Sequence, residues 1–147
     1  MLNIPKDFRE FIKLLNLNNV RYLIVGGYAV AYHGYPKATG DIDFFLDRSE
    51  ENAAAVKRCL VDFGFVSLDI TLEDLLTPER IIQIGYPPLR IDLLTSIDGV
   101  VFKEAWERRE TVGLEDLNAY FISKDDLTKN KQITGRLKDQ ADLDGLL

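Results

Sequence analysis

The sequence predicts one mixed α/β (α+β) domain, a β-sheet flanked by helices with a helical segment closing the chain. Three observations carry this. Helix-period and strand-like apolar segments alternate along the 147 residues. That length suits one domain, and no repeat, low-complexity tract or long Gly/Ser/Pro linker divides it. The expected organisation is a single domain over residues 1–147, with a core at about 20–95 and further strands and helices at about 100–147.

Residues 5–17 read as a helix, because Phe8, Phe11, Ile12, Leu14 and Leu15 recur at helical spacing and Pro5 suits the first turn. Tyr22-Leu23-Ile24-Val25 is a short apolar strand. It ends in a Gly26-Gly27 turn, after which Tyr28–His33 reads as a short helix stopped by Gly34 and Pro36. Asp41–Leu46 is the next strand. Ser49 can cap the helix that follows, with Asn52 where a capping box would place Glu or Gln, and Val56, Cys59, Leu60 and Phe63 form its apolar stripe before Gly64. On that stripe Cys59 reads as a core residue.

Arg80–Ile84 and Arg90–Leu94 read as an antiparallel hairpin across a loop rich in turn formers. Lys103–Glu110 is predicted helical, and two short strands are expected within Thr111–Ile122. Ser123 is a good N-cap for the last helical region, which carries Asp125 and Asp126 in its first turn and is interrupted at Gly135.

Composition excludes several classes. At 46% hydrophobic residues the chain can build a core without disulfides, and one cysteine cannot bridge internally. The first residues lack a signal peptide's basic and apolar regions, so a reducing, cytoplasmic setting is expected. The uncharged stretch Tyr22–Pro36 is too short and too broken by glycine and proline to span a membrane. Eighteen basic against 24 acidic residues give a net charge of −6, which disfavours a surface that grips nucleic acid everywhere. The segment Lys124–Asp139, with Lys124, Lys129, Lys131, Arg136 and Lys138, is locally positive and suits an anionic ligand.

Asp41 and Asp43 stand two apart on a strand, so their side chains leave one face with alpha carbons roughly 6.6 Å apart. Such a pair repels unless a cation or proton intervenes, and so invites a metal, although two solvated acids at a strand start would look the same. Asp92 is the acid in an otherwise apolar run and needs a cation or hydrogen-bond donors. Its simplest partner is Arg90 or Arg80. Gly26-Gly27, between strand and helix, leaves room for an anion at the backbone N–H groups, or else is only a tight turn. The pattern is neither a dinucleotide fingerprint nor a Walker loop. His33 either touches a nucleotide or interacts with its own helix end. Asp139 and Asp142 stand at helical spacing from the C-terminal bases.

Val25-Gly26-Gly27, then Asp41-Ile42-Asp43-Phe44, then Ile91-Asp92-Leu93 resembles the signature of the nucleotidyltransferase superfamily that includes DNA polymerase beta. Gly26-Gly27-Tyr28-Ala29-Val30, His33-Gly34, Thr39–Asp43 and the ending Asn130-Lys131, Gly135-Arg136, Lys138-Asp139, Asp142-Leu143 resemble, more closely, the small prokaryotic AbiEii-type and minimal nucleotidyltransferases, several of which are toxin–antitoxin components. The resemblance implies that Asp41, Asp43 and Asp92 hold divalent cations, usually magnesium (or manganese), and that Gly26 and Gly27 face a triphosphate. Lys37, where relatives often carry arginine, would join Lys131 and Arg136 in binding it. Gly27 departs from the serine of many members, so that hydroxyl is missing.

The expected activity is transfer of a nucleoside monophosphate from a nucleoside triphosphate to an acceptor hydroxyl, with pyrophosphate released by a two-metal mechanism. The acceptor is left open among a small molecule, a tRNA end and a protein side chain. The rival expectation is a toxin–antitoxin or regulatory component that keeps the fold and works by binding a cognate protein. A glycosyltransferase using the Asp-x-Asp pair fits poorly, since such catalytic domains are typically larger.

Overall fold

The computed structural model describes residues 2–34, 39–65, 69–86 and 89–146. Its centre is a six-stranded mixed sheet in the order β3-β4-β2-β1-β6-β5. The strands are β1 (Tyr22–Val25), β2 (Asp41–Leu46), β3 (Ile81–Tyr86), β4 (Leu89–Leu94), β5 (Glu110–Leu114) and β6 (Leu117–Phe121). β1 and β2 run antiparallel, β2 and β4 parallel, and the two hairpins β3–β4 and β5–β6 form the outer pairs. The helices are α1 (Lys6–Leu17), α2 (Gly26–Tyr32), α3 (Glu50–Asp62), α4 (Leu72–Leu76), α5 (Phe102–Glu107), α6 (Lys124–Thr134) and α7 (Leu137–Leu146).

The strand period of two sorts the side chains into two layers. Ile24, Ile42, Phe44, Ile91 and Leu93 are buried on one face. Phe11 of α1 meets Phe44 edge-on there at 5.4 Å and Phe63 at 5.1 Å, which ties α1 and the end of α3 to the sheet. On the opposite face Phe102 of α5 packs on Phe45 at 5.0 Å. The polar ends of β2 and β4 also lie on this second face, where they line a cleft together with residues of α6 and α7.

Local chemistry explains where the elements differ from expectation. Pro5 is the N-cap of α1 rather than a residue of its first turn. No separate glycine turn precedes α2: Gly26, at φ +67, turns the chain in one residue and the helix starts there. Ser49 caps α3 as expected. Asn52 completes no capping box; it is 2% exposed and binds both backbone groups of Arg21 as well as the Asp47 carbonyl. The short helix α4 has no counterpart in the expectation, although the reciprocal Thr71–Asp74 capping box marks its start. α5 ends at Glu107, where Arg109 folds over the Trp106 ring at 3.9 Å and donates to the Trp106 carbonyl, and β5 begins at Glu110.

Ser123 caps α6, and Gly135, left-handed at φ +64, separates α6 from α7. Cys59 is buried in the core, and burial pushes its thiol up to about 12. No described helix is long and apolar enough to cross a membrane.

Candidate active site

The parallel pairing of β2 with β4 sets Asp41 opposite Arg90 and Asp43 opposite Asp92. All four side chains therefore leave one sheet face as a two-by-two block. Gln83 of β3 extends the row on the far side of Asp92, and Val25 extends it beyond Asp43. The three acids predicted from sequence are thus brought together, although Asp92 lies 49 residues beyond Asp43 in the chain.

Arg90 is the cation within this block. Its Nη2 donates to Asp41 at 2.8 Å and its Nε to Asp92 at 2.8 Å, with a second Nη2 contact to Asp92 at 3.2 Å. The expected ion pair of Asp92 with Arg90 is present; Arg80 instead pairs with Asp74. One guanidinium cannot neutralise three carboxylates. Burial pushes the Asp43 carboxyl up to about 7, helped by the charge of Asp92, a hydrogen bond shared with it, and the charge of Asp41.

Gly26 lies against the same carboxylate. A β-carbon there would overlap the Asp43 side chain, and its positive φ already excludes most residues. At Gly27 a β-carbon would come within 2.8 Å of the Thr39 hydroxyl oxygen, so a serine there would require Thr39 to move. Gly26 lines the cleft beside the acids, whereas Gly27 is buried against Thr39.

The acids form one wall of an open cleft of about 580 Å³. The elbow between α6 and α7 forms the other, contributing Asn130, Lys131, Thr134, Arg136 and Lys138. Asp139, fully buried, organises this elbow: it receives Lys131 Nζ at 3.0 Å, the Thr134 hydroxyl at 2.6 Å and Arg136 Nε at 2.7 Å. Burial alone would raise its carboxyl, but these hydrogen bonds prevail and hold it well below the usual range.

Lys131 is only 5% exposed and also pairs with Asp142 at 3.3 Å. The ammonium expected at a phosphate is thus engaged by two acids of the elbow, while the residue still lines the cleft. Arg136 shares Asp139 but keeps a side chain 66% exposed at the cleft rim. Lys37 lies outside the described residues. His33 does not bond its own helix end through the ring; its Nε2 donates to the Ile122 carbonyl at 2.7 Å, joining α2 to the end of β6.

The sequence reading missed Gln83, Ser96 and Asp98, which line the cleft beside Asp92. Gln83 was findable, since pairing the predicted hairpin places it opposite Asp92. Asp98 was not, because the Asn130 side chain that binds its carbonyl at 2.9 Å comes from α6, 32 residues away.

Three carboxylates are the hard oxygen donors that magnesium or manganese takes. Among the described residues, however, no three such groups converge as a ready metal site. Arg90 itself holds two of the three. Arg90 would have to release a carboxylate before one ion could meet all three acids.

Comparison with protein-family models and with curated proteins gives no match for this chain.

Proposed function

We propose that the protein is a metal-dependent nucleotidyltransferase that moves a nucleoside monophosphate from a nucleoside triphosphate to an acceptor hydroxyl. The observation that carries this reading is the in-register block of Asp41, Asp43 and Asp92 at the edge of a cleft whose facing wall carries Arg136 and Lys138. Three acids share one arginine, an arrangement suited to a substrate that arrives with its own cations.

Asp41, Asp43 and Asp92 would hold magnesium, which when bound supplies positive charge to the reacting phosphate and to the leaving pyrophosphate. Gly26 lets the triphosphate approach the backbone at the end of β1. The acceptor oxygen bonds to the α-phosphorus as the bond to the bridging oxygen breaks, and pyrophosphate leaves with that oxygen. The hydroxyl proton passes to the Asp92 carboxylate. Arg90 orients Asp92 for this through the 2.8 Å bond from its Nε.

Purified protein incubated with each labelled triphosphate, magnesium or manganese, and a cell extract tests the reading. Label in a recovered acceptor supports it, and the class of that acceptor follows from where the label lands. Absence of both transfer and triphosphate binding with every base sinks it.

One observation favours the rival reading of a binding component. Arg90 pairs with both Asp41 and Asp92, so these carboxylates have a cationic partner within the chain itself. Purification of the native protein with a stoichiometric protein partner, with no transfer by either, would establish that reading.

A further inference from the structure

The three cations on the α6–α7 wall of the cleft are not equivalent. Lys131 is locked between Asp139 and Asp142, with a side chain 6% exposed. Arg136 is bound to Asp139 through both Nε at 2.7 Å and Nη2 at 3.3 Å. Lys138 is different. It is exposed, lines the same cleft, and has no ion-pair or hydrogen-bond partner among the described residues.

Its backbone is also well placed. The neighbouring Asp139 is the buried anchor of the elbow, and Asp142, one turn further on, is 1% exposed. The stem of Lys138 therefore leaves a fixed helix, while its ammonium is uncommitted. The opposite side of the cleft has the reverse character. Around Asp92 the lining is Gln83, Ile81, Ser96 and Asp98, with no cation other than Arg90 among these described residues.

We propose that Lys138 is the residue that grips the terminal phosphates of the triphosphate, and that this fixes the substrate's direction in the cleft. The pyrophosphate end lies under α7, and the acceptor hydroxyl enters past Gln83 on the β3 side. Lys131 and Arg136 act one step back, by holding the elbow that presents Lys138. An ammonium facing an anionic wall across an open gap is matched by a ligand that fills the gap with phosphate oxygens and brings its own cation. This inference rests on the nucleotidyltransferase reading.

Calorimetric titration with two probes, a nonhydrolysable nucleoside triphosphate and inorganic tripolyphosphate, each with magnesium, tests it on the intact protein. Lys138→Gln should weaken both by about tenfold, the loss of one charge-assisted contact at a partly solvated site. It should leave nucleoside monophosphate affinity within twofold. Lys138→Arg should restore most of the loss. Lys57→Gln, an exposed position on α3, serves as the remote control.

If Lys138→Gln binds both triphosphate probes as the unaltered protein does, Lys138 is a solvated lysine and the inference falls while the nucleotidyltransferase reading stands. The inference falls equally if monophosphate affinity drops as far as triphosphate affinity. If the unaltered protein binds neither probe, the functional reading fails and this inference with it.

Discussion

Asp43 and Asp92 are direct partners across the parallel β2–β4 ladder, and the charge of Asp92 joins burial in pushing the Asp43 carboxyl up. Two acids brought face to face in a sheet lower stability unless a proton or a cation joins them. The raised Asp43 carboxyl makes this pair a measurable element of the molecule.

The first prediction concerns Asp43 and pH. Its carboxyl is pushed up to about 7 by burial and by Asp92, from an ordinary value of 3.8. Between those values the unfolded chain has lost this proton while the folded chain keeps it, so stability falls as pH rises from about 4 to about 7 and then levels. Asp43→Asn keeps a hydrogen-bond donor toward Asp92 and removes the titration. Urea midpoints at pH 5 and pH 8 should therefore differ less in the variant than in the unaltered protein. An unchanged difference would mean that Asp43 titrates normally.

Arg90 provides a second test. Arg90→Ala leaves Asp41 and Asp92 without the guanidinium now within 2.8 Å of each. The variant should melt lower in chelator, and magnesium should raise its melting temperature more than it raises that of the unaltered protein, because binding to the native state adds stability by mass action. Equal magnesium shifts in the two proteins would show that arginine and metal do not compete for these carboxylates.

For transfer itself, Asp92→Asn should reduce the single-turnover rate by at least about a hundredfold while triphosphate affinity falls modestly, as expected for loss of a proton acceptor. Asp41→Asn should impair both. Near-normal transfer by Asp92→Asn would return Asp92 to a purely structural role as the partner of Arg90.

Asn52 carries a stability prediction independent of function. It is 2% exposed, accepts from the Arg21 N–H at 2.7 Å, and donates to the carbonyls of Arg21 at 3.0 Å and Asp47 at 2.9 Å. Asn52→Ala strands these groups and should cost about 3 kcal/mol, since each buried unsatisfied polar group costs roughly 1–3 kcal/mol. Chemical denaturation measures this, and a loss under about 1 kcal/mol would mean that water replaces the side chain.

What the sequence determined by itself was local. The bounds of β1 and β2, the caps at Ser49 and Ser123 and the break at Gly135 follow from apolar runs, short polar side chains and glycine, each acting within a few residues. The shared face of Asp41 and Asp43 follows from the strand period alone. Only the tertiary structure decided what those residues meet. A period of two says which face a side chain takes but not which strand lies alongside. The parallel register that sets Arg90 against Asp41 joins segments 49 residues apart through the packing of everything between them. For the same reason Lys131, Arg136 and Lys138 read alike in the sequence, as bases near the chain's end. Burial beside Asp139 and Asp142 separates them, because a charge inside the elbow must be paired: Lys131 is enclosed and bound to both acids, Arg136 reaches Asp139 from the surface, and Lys138 stays exposed.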